Sequence, residues 1–135
     1  MQLLPELLSA NIYHVQHIGP AFTPLEQTVL RVICEMHAVD RDALEAQLSS
    51  ATVLSRENTG AGFFTRIDVG RSTLLLIGGE RRRDGPEARI DGLEHGMGFI
   101  LWLKEGYLDC LEGYSYADST IGIDFEKIDF EILPQ

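Results

Sequence analysis

The stretch from His95 to Tyr116, HGMGFILWLKEGYLDCLEGYSY, constrains the fold more than any other part of the chain. It reads as two strands joined by a tight turn at Glu105-Gly106. Aromatic and β-branched residues in short runs bounded by glycine favour strands. Residues 98–104 (GFILWLK) and 107–114 (YLDCLEGY) fit that pattern, and Gly106 supplies the positive φ that such a turn requires. With a two-residue loop, Lys104 pairs with Tyr107, Leu103 with Leu108 and Leu101 with Cys110. One face then carries Phe99, Leu101, Leu103, Leu108 and Cys110, and is wholly apolar. The other carries Ile100, Trp102, Lys104, Tyr107, Asp109 and Leu111. The apolar face is the expected core face, because a three-residue loop would set Asp109 opposite Leu101 there. The mixed face is too apolar to be left wholly wet, and a meander exposes edge strands. A homodimer covering the mixed face is therefore expected.

The rest of the chain supplies helices and further strands. Thr23-Pro24-Leu25-Glu26 is a helix start: Thr23 caps, Pro24 suits the first turn and Glu26 completes a capping box. Leu25, Val29, Val32, Ile33 and Met36 recur at helical spacing as far as about His37. Asp40 reads as the N-cap of a second, short helix over 41–48, with Ala43, Leu44, Gln47 and Leu48 on its apolar side. The two make a helix–turn–helix shape that is not a DNA reader, since Arg31 and Arg41 are outweighed by Glu26, Glu35, Asp40, Asp42 and Glu45. Ahead of them, Pro5, Gly19 and Pro20 break the pattern, leaving room for a short helix over 5–9.

From residue 51 the period switches to two. Strands are expected over 51–57, 62–69 and 72–77, then a polar loop over 80–87 (ERRRDGPE) and a short strand over 88–93. After the central hairpin come a loop over 116–122 and a last strand over 125–133 carrying Phe125, Ile128, Phe130 and Ile132. The sum is a single α+β domain spanning 1–135. Two N-terminal helices pack on one face of an antiparallel meander sheet of about six strands.

Length and charge narrow the function classes. At 135 residues the chain makes one domain with a real core, and no apolar run approaches the ~20 residues that span a bilayer. The opening MQLLPELLSA has no basic region before its leucines and makes a poor signal peptide, so a cytoplasmic location is expected. The net charge is −10 and it is uneven: residues 105–131 hold eight acids against one base, Lys127. That disfavours nucleic-acid binding, whose affinity comes from neutralising phosphates, and suits steering of a basic protein partner. Cys34 and Cys110 lie among apolar residues and read as reduced, buried small hydrophobes.

No constellation reaches a catalytic, metal or cofactor signature. His14 and His17 stand at an i,i+3 spacing, but neither His37 nor His95 completes a metal set. The glycines at 60–62, 78–79 and 96–98 follow no strand that opens a helix, as phosphate loops require, so they read as turn and strand-start residues. Arg81-Arg82-Arg83, the sole basic run, reads as a solvated loop. The segment Leu111–Asp118 is the richest in recognition chemistry. Two tyrosines, a glutamate and an aspartate alternate as a strand leaves the sheet, and tyrosine's rigid ring and polar tip suit interfaces. The candidate binding residues are Glu112, Tyr114, Tyr116 and Asp118, joined by Arg56 and Arg66 from neighbouring strands. The plainer reading packs Tyr114 at the sheet end and bonds Glu112 to a neighbour.

The segments SRENTGAGFFT (55–65) and 96–116, with its LEGYSY, resemble those of small uncharacterised bacterial proteins. In these a TGxGFF strand entry precedes a GxxLEGYxY hairpin. The resemblance implies no established activity and supplies no catalytic residues. Two functions are expected in order. The first is a non-enzymatic protein-binding module, inhibitor- or immunity-like. The alternative is a small enzyme or ligand binder with a pocket between helices and sheet, lined by Arg56, Arg66, Glu112 and Tyr114.

Overall fold

The computed structural model describes residues 21–71, 73–78 and 80–135. The helix expected over 5–9 and the pair His14 and His17 lie outside the described residues. Helix α1 runs Pro24–Met36. Its start is the expected capping box: the Glu26 amide donates to Thr23 Oγ1 at 3.1 Å and the Thr23 amide to Glu26 Oε1 at 2.8 Å. The buried stripe is Leu25, Val29, Leu30, Ile33 and Cys34. Val32 is only half-buried and Met36 is exposed, so the helix is turned slightly from the expected orientation. A 3-10 turn over Ala38–Asp40 leads into α2, Arg41–Ser49, which buries Leu44, Gln47 and Leu48. Asp40 does not cap it through its side chain. Its carboxylate instead accepts from Arg83 Nε at 2.7 Å, on a strand across the core.

Six strands follow: β1 (Thr52–Asn58), β2 (Gly62–Asp68), β3 (Arg82–Ile90), β4 (Met97–Lys104), β5 (Tyr107–Ser115) and β6 (Phe130–Ile132). They form one antiparallel sheet in the order β1-β2-β5-β4-β3-β6. The α+β class, the strand number and the helices preceding the strands are as the sequence predicts. The order is not purely sequential, because β2 pairs with β5 and the short β6 borders β3. Helix α1 packs across β3. Helix and strand residues share one buried cluster that includes Val29, Leu30, Ile33, Leu44, Phe63, Phe99, Leu101 and Leu111.

Two expected segments change character. Residues 73–77 form no strand. Their backbone is taken up elsewhere: the Leu76 amide donates to Gly106 O and the Leu74 carbonyl accepts from Gln47 Nε2. Gln47, fully buried, also donates to Gly106 O and accepts from the Leu108 amide, tying α2 to the end of the hairpin. Conversely, the expected polar loop over 80–87 lies mostly in β3. Gly85-Pro86 sits in a register shift between Asp84 and Glu87, where a proline lacking an N–H is tolerated. Arg83 is not solvated: it is buried, and its guanidinium bonds Asp40 and two backbone carbonyls.

The central hairpin has its two-residue turn, with Glu105 at φ 54° and Gly106 at φ 85°, both positive as a type I′ turn needs. Lys104 faces Tyr107 and Leu103 faces Leu108, as expected. The register then shifts by one. Trp102 faces Cys110 and Leu101 faces Leu111, so Leu101 does not face Cys110. Asp109 is the extra residue of a β-bulge, which reverses the facing of everything after it. Leu111 belongs to the core, not to the mixed face, and Cys110 lies on the opposite side from Leu101.

One carboxylate joins α1 to the sheet. Glu26 is 2% exposed. It accepts from Arg56 Nε and Nη2, from the Thr65 hydroxyl and from the Thr23 amide. Burial alone would push its carboxyl up, but these hydrogen bonds and the Arg56 charge together hold it below its ordinary value.

Leu101 is fully buried and Lys104 is exposed. Leu101→Ala is expected to destabilise by about 2–5 kcal/mol, and Lys104→Ala by about 0.5 kcal/mol or less. Denaturant melts of the two variants check the face assignment.

Candidate functional site

Alternation along a strand sends successive side chains to opposite faces. The core takes one face of this sheet, so the other, here the outer face, is built from the remaining positions. The bulge at Asp109 decides which β5 residues these are. Three rows cross the strands. The first holds Ser55, Arg66, Cys110, Trp102 and Arg82. The second holds Glu57, Phe64, Glu112, Ile100 and Asp84. The third holds Gly62, Tyr114, Gly98 and Glu87.

Large rings dominate this face, and their polar tips are held. Trp102 Nε1 donates to Glu112 Oε1 at 2.9 Å. The Arg82 guanidinium lies over the Trp102 ring, 5.5 Å from its centroid, and also bonds Asp84. Tyr114 and Tyr116 meet edge to face at 5.6 Å. The Tyr116 hydroxyl donates to Glu87 Oε2 at 2.6 Å. Gly98 makes the tyrosine pair possible: a Cβ there would stand 2.5 Å from the Tyr114 ring and 2.7 Å from the Tyr116 hydroxyl. The Tyr114 ring therefore lies flush on the backbone of β4. Beside Trp102 a shallow groove of about 310 Å³ is lined by Phe64, Arg66, Arg81, Lys104, Asp109 and Cys110.

The expected site residues are thus partly brought together. Glu112, Tyr114 and Tyr116 cluster on or beside the outer face, and Arg66 stands in the adjoining row, 3.2 Å from Asp109. A regular ladder continued from the turn would set Glu112 and Tyr114 on Leu101's face of the hairpin, and the bulge places them on the opposite one. Arg56 lies on the helix side, bound to Glu26. It does not share a pocket with Arg66, Glu112 and Tyr114. Asp118 sits beyond the end of β5, where its carboxylate accepts from the His95 amide at 2.8 Å and faces the His95 ring at 3.3 Å. The amide bond and the ring hold the Asp118 carboxyl below its ordinary value.

Sequence reasoning did not place Phe64, Arg82 and Glu87 at a site, and read Arg82 with Arg81 and Arg83 as a solvated loop. Phe64 was legible by alternation with its neighbour Phe63. Arg82 and Glu87 were not, because the bulge at Gly85-Pro86 disguises their strand as a loop. The TGxGFF and LEGYxY segments turn out to be one unit: Gly62, Phe63 and Phe64 pair directly with Tyr114, Gly113 and Glu112.

Chemically, the arrangement holds rings through single hydrogen bonds to carboxylates, Trp102 to Glu112 and Tyr116 to Glu87. The two thiols are buried and free, and burial pushes Cys34 up to about 12 and Cys110 up to about 11. Neither is a ready nucleophile at neutral pH. Among the described residues no group of three or more His, Cys, Asp or Glu side chains is placed to hold a metal ion.

Tyr116 is 43% exposed, but loss of water around its hydroxyl, together with the hydrogen bonds to Glu87 and Tyr114, pushes its phenol up. Both favour the neutral form, so Tyr116 is expected to ionise above the ordinary phenol range in an alkaline spectrophotometric titration. Gly98→Val, which displaces the tyrosine pair, should return that titration toward the ordinary value of about 10. An unchanged titration in the variant would contradict the geometry.

Comparison with family models, with curated proteins and with solved structures returns no match, so a functional reading rests on the geometry of this site.

Proposed function

We propose that the protein is a non-enzymatic protein-binding module whose contact surface is the outer face of the sheet. One observation carries this reading. Phe64, Trp102, Tyr114 and Tyr116 stand close together on the side of the sheet away from the core, with the Trp102 and Tyr116 tips fixed by Glu112 and Glu87. Tryptophan, tyrosine and arginine dominate the energetics of protein interfaces. Rings already locked in place lose little further freedom on binding.

The state of the carboxylates favours binding over acid–base chemistry. Glu26 is engaged by Arg56, Thr65 and Thr23, Glu112 by Trp102, Glu87 by Tyr116, and Asp118 by His95. Each fixes a neighbouring group. The acidic 105–131 segment supports a basic protein as partner. Within this proposal the role is inhibitor- or immunity-like and the setting cytoplasmic. Among the described residues no helix is long and apolar enough to cross a membrane.

Capture from a native-host lysate at low and moderate salt tests the proposal. The wild-type protein should retain a defined polypeptide. A Trp102→Ala, Tyr116→Ala double variant should lose it, while Val39→Ala, altered at a fully exposed residue of the 3-10 turn, should keep it. Retention that survives the double variant would reject the outer face as the contact surface.

A further inference from the structure

A second concave feature lies at the free β1 edge of the sheet, where β1 meets the start of α1 and the chain over 123–126. It is a pocket of about 170 Å³ with walls of two kinds. Phe63, Ile123 and Phe125 supply apolar surface, and the Phe63 and Phe125 ring centroids are 4.8 Å apart. Four acids, Glu26, Glu57, Asp124 and Glu126, stand around them against one base, Arg56. Arg56 is already bound to Glu26 through Nε and Nη2. Among the described residues Glu57, Asp124 and Glu126 form no salt bridge. The Asp124 carboxylate accepts from the Glu126 amide at 3.0 Å, and Glu126 feels the Arg56 charge only from beyond salt-bridge distance. Three negative charges at the pocket thus lack a direct counterion.

The walls are fastened in advance. Asn58 Nδ2 donates to the Thr120 and Ile123 carbonyls at 2.8 and 3.4 Å, and the Thr120 hydroxyl donates to Asn58 Oδ1 at 2.8 Å. These bonds hold the 120–123 segment against β1. The capping box and the Arg56–Glu26 pair fix the opposite wall. Walls already in place lose little freedom when something enters.

Size and chemistry select the occupant. A cavity of about 150 Å³ takes a benzene-sized molecule, whereas drug-sized ligands occupy about 300–1,000 Å³. The pocket therefore fits a single side chain. Its unbalanced acids repel anions. A metal ion makes no use of the apolar walls, and among the described residues no His, Cys, Asp or Glu group is placed to hold one. A guanidinium meets both demands. It is planar, weakly hydrated and always charged, it stacks on aromatic rings, and it bonds carboxylates in a fork. Its apolar stem suits the Ile123 wall. An ammonium is compact and strongly hydrated, and uses the rings less well.

We infer that this pocket receives an arginine side chain of the basic partner. The inference rests on the reading of the protein as a protein-binding module and extends it. Glu57 belongs both to the pocket and to the second row of the outer face, so the pocket continues that surface at the β1 edge.

Titration of isotope-labelled protein with short peptides, followed through its amide resonances, tests the pocket without the host partner. The probes are a blocked Gly-Arg-Gly tripeptide and the same peptide with lysine or with citrulline, which keeps the shape of arginine without its charge. The arginine peptide should move the Ile123, Phe125 and Glu126 amides saturably. The lysine peptide should bind more weakly, and the citrulline peptide at least about tenfold more weakly. A Glu57→Gln, Glu126→Gln double variant, altered at two exposed positions, should lose about tenfold for the arginine peptide. Its resonances away from the pocket should stay in place, which shows that it folds. Free arginine carries its own carboxylate and should bind more weakly than the peptide; equal binding would make the occupant a free amino acid and overturn the partner assignment. The inference is also overturned by no saturable shift, by citrulline or lysine matching arginine, or by a variant that binds as the wild type does. A failed titration beside a host polypeptide still held through Trp102 and Tyr116 removes the pocket and leaves the outer face. Charge-dependent peptide binding beside a failed capture through Trp102 and Tyr116 upholds the pocket and removes the outer face.

Discussion

The structure depends on one extra residue in β5. Between the Leu103–Leu108 pair and the Trp102–Cys110 pair, β5 spans one residue more than β4, and that residue is Asp109. A regular ladder would turn Leu111 outward and send Glu112 and Tyr114 into the core. A buried carboxylate without a partner costs several kcal/mol, so the downstream pattern selects the bulge. With it, Leu111 is fully buried opposite Leu101, and Glu112 reaches the Trp102 indole on the other side. Asp109 stays at the surface, where Arg66 pairs with it. The outer face exists because of this shift.

The second constraint is the way the helices are fastened. Glu26 is at once the closing residue of a helix cap and the acceptor for Arg56 and Thr65 from the first two strands. Arg83 repeats the device at the other end, reaching Asp40 ahead of α2. Gln47 supplies donors and an acceptor to the hairpin end and so replaces a missing strand neighbour. Polar groups from the helices thus hold one face of the sheet, and the rings on the opposite face are left to hold one another.

What the sequence made legible follows from range. Local signals were readable: the capping box at Thr23 and Glu26, the type I′ turn at Glu105-Gly106, and the apolar run Phe99, Leu101 and Leu103. Signals that depend on partners distant in the chain were not. Nothing local says that Arg56 answers Glu26, that Asp40 bonds Arg83 in preference to capping α2, or that β2 pairs with β5. Gly85-Pro86 looks like a loop because proline breaks a regular ladder, and only the register of β4 shows it as a bulge. The apolar run at 73–77 looks like a strand by composition, yet Gln47 and Gly106 take its hydrogen bonds. At the site, the ring and carboxylate chemistry of the LEGYSY segment was visible. Its facing was not, because an unbroken ladder carried on from the turn misses the change of phase that the bulge at Asp109 introduces.

The functional account reduces to which side chains share the face turned away from the helices. Nuclear Overhauser contacts in isotope-labelled protein measure that directly. The account predicts contacts from the Trp102 indole N–H to the Glu112 side chain, together with contacts between the methyls of Leu101 and Leu111. Contacts from the Trp102 indole or from Glu112 to the methyls of Val29 or Ile33 would contradict it, because they would place these residues beneath the helices and leave the outer face without its site.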